Sequence, residues 1–298
     1  MRKSRRQFVK LTGKSIAGTL LLPFLSCKSK RMNSSSVALA PKRLDSFGIQ
    51  LWTLKDVFPK DPKGTLKVLA EYGYKEIESF EGDQGMFWGM DASDFKSYLD
   101  DLGLKMSASH CSIGDDFEAK IDQAASIGMK YLVCPWVGPQ KSTDDWKRVA
   151  ERFNECGAIC KKRGIKFAYH NHDYTFRAFA GMIPHDFLME NTNPELVFYE
   201  MDLYWVVTGG ADPIDFLKKY SNRFKLCHIK DRSKNAAAEE KNASCDLGTG
   251  SIDFSKILKV AVDNGMEHFF MEQERFENTS PMESAKAGAA YLKKLKFT

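Results

Sequence analysis

Residues 146–173 read WKRVAERFNECGAICKKRGIKFAYHNHD, and this stretch decides the fold. It opens with an amphipathic helical pattern, Trp146–Arg163, and stops at Gly164, the residue expected just past a helix end. A β-rich run follows, Lys166–Asn171, and the chain then turns polar at His170-Asn171-His172-Asp173. The unit is therefore helix, glycine turn, short apolar strand, polar strand end. Working outward, the same unit recurs. Candidate strands are Phe47–Trp52, Glu76–Phe80, Lys105–His110, Tyr131–Pro135, Lys166–Asn171, Leu196–Asp202, Lys225–Lys230 and His268–Gln273. Helical patterns at Thr65–Tyr72, Ala92–Leu102 and Phe117–Ile127 end at Gly73, Gly103 and Gly128. Strands alternating with helices argue for parallel βαβ units. Eight of them favour an α/β fold of the single (β/α)8 barrel kind, and about 250 residues is the usual size of one. No Gly-x-Gly-x-x-Gly follows any strand, so a dinucleotide-binding sheet lacks its fingerprint. Gly209-Gly210 reads as a turn.

The barrel is expected over residues 45–298, and the chain before it reads as an address. Residues 1–31 hold nine basic residues and no acid. Ser4-Arg5-Arg6-Gln7-Phe8-Val9-Lys10 precedes an apolar run from Ile16 to Leu25, too short for the ~20 residues of a membrane span. Paired Arg5-Arg6 in this frame resembles the twin-arginine export signal. Leu25-Ser26-Cys27 resembles a lipobox, with Phe24 where Leu is usual. Residues 1–27 are thus expected to be a signal peptide. Residues 28–44, rich in Lys, Ser and Ala, are expected to be a tether, and the only membrane contact is a lipid on Cys27. The protein is expected to be exported, periplasmic or held at a membrane as a lipoprotein. Without the nine leader charges the formal net charge of +5 becomes −4 for residues 32–298. An acidic body lacks the basic face that nucleic-acid binding requires. The six remaining cysteines show no zinc spacing, and Cys156 and Cys160, one helical turn apart, read as packing.

In a (β/α)8 barrel the active site lies at the carboxyl ends of the strands. Ionisable residues gather at those ends: Glu76 and Glu78, His110, His170 and His172, Glu200 and Asp202, His228 with Lys230, Asp231 and Arg232, and Glu272 with Glu274. Four of the six histidines belong to this set. Imidazole mixed with carboxylate suits Mn, Co, Zn or Fe(II). Alternation along a strand puts His170 and His172 on one face, so both can reach the barrel mouth.

Several of these segments resemble the xylose isomerase-like barrels, a superfamily of sugar (phosphate) isomerases, epimerases and inosose dehydratases. Phe47–Trp52 resembles its first strand, Gly73–Glu78 its second, Tyr169–Asp173 a fifth strand with paired histidines, Asp202–Trp205 its sixth, His228–Arg232 its seventh and Met271–Gln273 its eighth. The resemblance implies metal ligands at His170, Asp202, His228 and Glu272. Many members carry Glu at the position of His170, so His172 stands as the alternative ligand on strand 5. Trp205 stands where ketose 3-epimerases have a histidine, and Phe176 falls near another of their pocket glutamates, so that machinery is not intact.

The implied chemistry is removal of a proton next to a carbonyl, giving an enediolate, with a divalent metal as Lewis acid. Glu78, His172 and Lys230 are the candidate bases. His110, Trp205 and Arg232 are the candidate substrate contacts. Reprotonation gives an isomerase or epimerase; loss of a β-substituent gives a lyase. Export favours a free sugar or a keto-glycoside over a phosphorylated sugar. Trp52, Trp88, Trp136 and Trp205 are candidate stacking surfaces. The competing reading is a sugar-binding surface lipoprotein without catalysis. A repair nuclease like endonuclease IV is opposed by the charge of −4.

Overall fold

The computed structural model describes residues 43–297, so the expected export signal, and the tether up to residue 42, lie outside the described residues. Eight strands form a closed parallel barrel: β1 (Gly48–Gln50), β2 (Glu76–Phe80), β3 (Lys105–His110), β4 (Tyr131–Cys134), β5 (Lys166–His170), β6 (Val197–Asp202), β7 (Phe224–Ile229) and β8 (His268–Met271). Each strand pairs with its neighbours in sequence, and β1 closes the ring on β8. The expected (β/α)8 architecture is therefore the observed one.

Helices alternate with the strands: α1 (Pro62–Tyr72), α2 (Ala92–Asp101), α3 (Phe117–Ser126), α4 (Thr143–Lys162), α5 (Pro184–Asn191), α6 (Leu203–Thr208), α7 (Pro213–Lys219), α8 (Phe254–Asp263) and α9 (Pro281–Lys294). Local chemistry sets their ends. In α4 the Ser142 hydroxyl accepts from the Asp145 N–H, Asp144 and Asp145 fill the first turn, and Lys161 and Lys162 fill the last. That is the charge order a helix dipole favours. Gly73 ends α1 in the left-handed region at φ 96°, a conformation glycine adopts without a Cβ penalty. Trp146, Ala150, Phe153, Cys156 and Cys160 are buried on α4, and both cysteines are unpaired thiols that pack against the core. Among the described residues no helix is long and apolar enough to cross a membrane.

The barrel interior has two storeys. Ala108, Tyr131, Val133, Ala168, Leu226 and Phe270 form an apolar plug separate from the larger core under the helices, with Phe198 packed against it. A strand repeats its face every second residue. Two positions on from Ala108, Ala168, Phe198, Leu226 and Phe270 stand His110, His170, Glu200, His228 and Glu272. The plug therefore carries a polar storey directly above it. Register levels that storey: His170 pairs with Glu200, and Asp202 with His228.

Two strands end two residues sooner than expected. Gln50 accepts from the Trp52 N–H at 3.0 Å, which turns Leu51–Leu54 into a 3-10 helix. Strand β8 stops at Met271, although the Glu272 N–H still donates to the Ile229 carbonyl at 3.1 Å. The Gln273 N–H then donates to the Thr53 hydroxyl instead of to a strand.

Candidate metal centre

The upper set of ionisable groups is built by four adjacent strands. His170 ends β5, Asp202 ends β6, His228 lies in β7 and Glu272 follows β8, and all four are buried. One donor atom from each lies within 4.8 Å of all the others. The separations are 3.6 Å from His170 Nε2 to Asp202 Oδ2, 3.7 Å from His228 Nδ1 to the same oxygen, and 3.2 Å from His228 Nδ1 to Glu272 Oε2. The first two lie beyond hydrogen-bond range. Both ring nitrogens of His170, and Asp202 Oδ2, are buried without a hydrogen-bond partner. Such orphaned groups cost roughly 1–3 kcal/mol each unless something satisfies them. A divalent cation among these donors would satisfy one ring nitrogen of His170 together with Asp202 Oδ2, and the His/carboxylate mixture fits Mn, Co, Zn or Fe(II).

Asp202 divides its two oxygens between tasks. Oδ1 accepts from the Trp205 N–H at 2.9 Å and caps α6, which leaves Oδ2 for the centre. Burial would raise the pKa of Asp202, but the Lys230 ammonium, then His170 and His228, hold it well below the usual carboxylate range. Glu272 is likewise lowered, with Lys230 and His228 outweighing its burial.

Beneath lies a second set, Glu78, His110, Glu200 and His228, whose donor atoms also lie within 4.8 Å of one another. This set is partly satisfied from within, with Glu78 Oε1 and Glu200 Oε1 left buried without a partner. His228 Nε2 meets Glu78 Oε2 at 2.6 Å, and His110 Nε2 meets Glu200 Oε2 at 2.7 Å. Burial pushes both glutamates up, and for Glu78 the neighbouring Glu200 charge pushes further. Each ionised carboxyl so placed disfavours ionisation of the other. His228 joins the storeys. Its Nε2 is committed downward to Glu78 and its Nδ1 faces Glu272 and Asp202. A carboxylate behind a histidine fixes the ring and its tautomer, an arrangement common behind metal-bound imidazoles. Burial opposes a charge on His228, but Glu200, Glu272 and Glu78 outweigh it and raise its pKa.

A cavity of about 540 Å³ opens above the upper set. His110, His170, His172, Trp205, Lys230 and Glu272 line its inner part. His172 does not join the upper set; it turns aside into an aromatic cage, 4.6 Å from Trp136 and 5.1 Å from Trp205 between ring centroids. Burial, and then the neighbouring His170, lower its pKa well below the ordinary value, so it is a neutral imidazole at pH 7. Burial pushes His110 down to about 3. Of the two strand 5 histidines, the geometry therefore gathers His170 with Asp202, His228 and Glu272 and leaves His172 on the cavity wall.

Three expected roles need correction. Lys230, a candidate base, is ion-paired with Glu274, lies 3.3 Å from Glu272 Oε2 and sits over the Tyr204 and Trp205 rings. Burial opposes its charge, but Glu272 and Glu274 raise its pKa, so it stays an ammonium and lacks a base's lone pair. Arg232, a candidate substrate contact, is absent from the cavity. The chain leaves the barrel after Lys230 as a short ribbon, Asp231–Arg232 against Ser244–Cys245. The Arg232 guanidinium donates to the Thr208 hydroxyl and to the carbonyls of Glu240 and Ala237. Glu78, also a candidate base, lies under the polar storey and not on the cavity wall.

Three residues at the site have no role in the sequence reading. Glu200 is fully buried beneath Asp202, and the alternation that puts both on one face was the available signal. Glu274 accepts from Trp52 Nε1 at 3.0 Å and pairs with Lys230. Glu81, on the cavity wall, is held by Lys120 at 2.7 Å.

Comparison with known proteins agrees with the barrel fold. An inosose dehydratase from Clostridium perfringens is 33% identical over 164 residues, 50% of this chain and 54% of that protein. The chain thus spans about half the length of the curated relatives it first matches. The structure of a sugar phosphate isomerase/epimerase from Parabacteroides distasonis is similar at a TM-score of 0.70 and 30% identity, over 87% of this chain and 96% of that one. The structure of the IOLI protein, which holds a zinc atom, is similar at a TM-score of 0.67 over 84% of this chain and 99% of that one; at 17% identity the likeness concerns the fold alone. A family model described as a xylose isomerase-like TIM barrel matches residues 66–295, from within α1 to just past the end of α9. With eight strands in one ring and a model of this family spanning most of it, the chain belongs to the xylose isomerase-like TIM barrel family.

Proposed function

We propose that this protein is a divalent-metal-dependent enzyme that removes a proton next to a carbonyl of a free sugar or keto-glycoside. The observation that carries the reading is the convergence of His170, Asp202, His228 and Glu272, with orphaned donor atoms, on the floor of a cavity. These four would hold the metal, and when bound it supplies Lewis-acid polarisation of a carbonyl and a neighbouring hydroxyl. The chain's own residues supply the rest. His172, neutral and on the cavity wall, takes the proton. The Lys230 ammonium, fixed by Glu272 and Glu274, steadies the negative oxygen of the enediolate. Return of the proton to carbon gives isomerisation or epimerisation; expulsion of a β-substituent gives elimination.

Elimination is the better supported course. Epimerisation by two bases needs a second free base across the cavity. His110 is bound to Glu200, Glu274 to Lys230 and Trp52, and Glu81 to Lys120, so His172 is the base on the wall without a charged partner. The inosose dehydratase relatives, by name eliminating enzymes, agree with this. We further infer export, on the strength of Arg5-Arg6 and the apolar run before Cys27.

Product analysis tests the reading. Purified protein is incubated with free sugars, glycosides and 3-keto-glycosides, with and without chelator. The expected result is aglycone release from a keto-glycoside, abolished by chelator and by His172→Gln, with metal content unchanged in that variant. Turnover that survives both treatments overturns it. A protein that binds sugars, holds no metal and turns nothing over is the binding lipoprotein instead.

A further inference from the structure

The cavity has two chemically different ends. Its inner end is polar, with His170, Lys230 and Glu272 buried and His172 half-buried. Its rim carries the two large apolar side chains that the described structure leaves exposed, Trp52 at 38% and Trp136 at 55%. Both are held in place. Trp52 donates from Nε1 to Glu274 at 3.0 Å and stands edge-on to Phe80 at 5.0 Å. Trp136 stands edge-on to Tyr174 at 4.9 Å and to His172 at 4.6 Å. Exposed indoles fixed by specific contacts at a cavity mouth mark a binding surface more than a packing accident.

Size and charge narrow the occupant. About 540 Å³ lies in the range that encloses drug-sized ligands, more than one sugar ring. Phe80, Ile113 and Pro135 also line the cavity and present apolar surface there, beside Ser112. The carboxylates of Glu81 and Glu274 line it too, and its cation Lys230 is already paired with Glu272 and Glu274. A phosphate there would meet negative charge.

We propose that the rim is a subsite for a flat aromatic group carried by the sugar, so that this protein takes aryl glycosides in preference to phosphorylated sugars. The proposal rests on the reading of the inner end as the reacting end. Its test is binding, not turnover, so the two can fail separately. Affinities for 4-nitrophenyl β-glucoside, methyl β-glucoside, cellobiose and glucose 6-phosphate are measured by calorimetry on the full chain. The expected order puts the aryl glycoside about tenfold or more ahead of the methyl glycoside, about 1.4 kcal/mol, with the phosphate weakest. Trp52→Ala and Trp136→Ala should each erode the aryl-over-methyl ratio, and Trp136→Phe should retain most of it. A thermal transition for each variant verifies folding. Equal affinity for aryl and methyl glycosides, cellobiose binding as tightly as the aryl glycoside, or a ratio unaltered in both alanine variants overturns the proposal. Aryl preference in a protein that turns over no glycoside leaves the subsite standing and removes the elimination chemistry.

Discussion

Replacing Glu78 separates two roles that the sequence allows and the structure does not. A base would have to reach substrate. Glu78 instead lies buried under the polar storey, with Oε2 2.6 Å from His228 Nε2. Its work is to hold the ring so that Nδ1 faces Glu272 and Asp202. Loss of such a supporting partner typically weakens metal affinity 10–100-fold, about 1.4–2.7 kcal/mol. Glu78→Gln keeps the volume and can still accept the Nε2 proton through its amide oxygen, so about tenfold is expected. Glu78→Ala leaves the buried ring N–H only the longer contact to Glu200 Oε2 at 3.3 Å, a further loss on the order of 1 kcal/mol, and should approach a hundredfold. The assay is titration of metal-free protein against a chromophoric chelator, followed by turnover at saturating metal. Most of the activity of Glu78→Gln should return at saturation. Unchanged metal affinity in Glu78→Ala together with lost kcat would mean that Glu78 is the base and that the supporting role is wrong. Two bound ions per native chain would likewise refute it, because the lower set would then hold metal itself.

Substitutions at three further positions probe neighbouring links. His185 on α5 is buried without a hydrogen-bond partner among Phe176, Phe216 and Phe224, and burial pushes it down to about 3. An unfolded histidine protonates near 6.5 and the native one does not, so its burden on stability is absent at pH 8 and grows as pH falls through 6.5. His185→Phe should therefore gain about 2 kcal/mol more at pH 5 than at pH 8 in urea denaturation, and an equal effect at both pH values contradicts this. Asp202→Asn should lose metal yet keep the cap on α6, whereas Asp202→Ala should also cost the metal-free protein about 1 kcal/mol in thermal denaturation; equal stability of the two speaks against the divided role of the two oxygens. Gly157→Ala should destabilise despite alanine's better helix propensity, because a Cβ there would meet the Leu196 carbonyl oxygen at 2.4 Å. A net loss of roughly 1–3 kcal/mol by denaturant titration is expected, and a gain would show that α4 can shift away from β6.

The barrel was legible because most strands announce themselves twice, by an apolar run and by a polar residue at or just past the end. The helix ends were legible for a local reason as well: Gly73, Gly103, Gly128 and Gly164 all adopt positive φ. What escaped depends on contacts between distant segments. The register shift between Tyr199 and Glu200 sets which β7 residues face them, and no local pattern encodes it. Arg232 looked like a site residue because it follows His228 and Lys230, yet the ribbon formed with Ser244–Cys245 carries it away. The fate of Lys230 was decided by Glu272 and Glu274, more than forty positions away. Spacing told where a lysine stands but not whether it could ever lose its proton.

Charge balance at the barrel floor joins the two storeys into one device. Glu78, Glu200, Asp202 and Glu272 are four buried carboxyls above an apolar plug. If Glu78 and Glu200 share one proton, three negative charges remain, and Lys230 offsets one of them. Burying the other two without compensation would cost several kcal/mol each. A dication held by the upper set removes that deficit, and in its absence His228 is driven to take a proton, the direction its surroundings impose. The imidazole that would bind the metal through Nδ1 is thus the group the floor protonates when no metal is there. Metal binding and proton release at His228 then become one event, and affinity for the cation should fall as pH falls. The lower storey makes this coupling stiff, because Glu78 keeps the Nε2 proton in place in either condition and leaves only Nδ1 to exchange proton for metal.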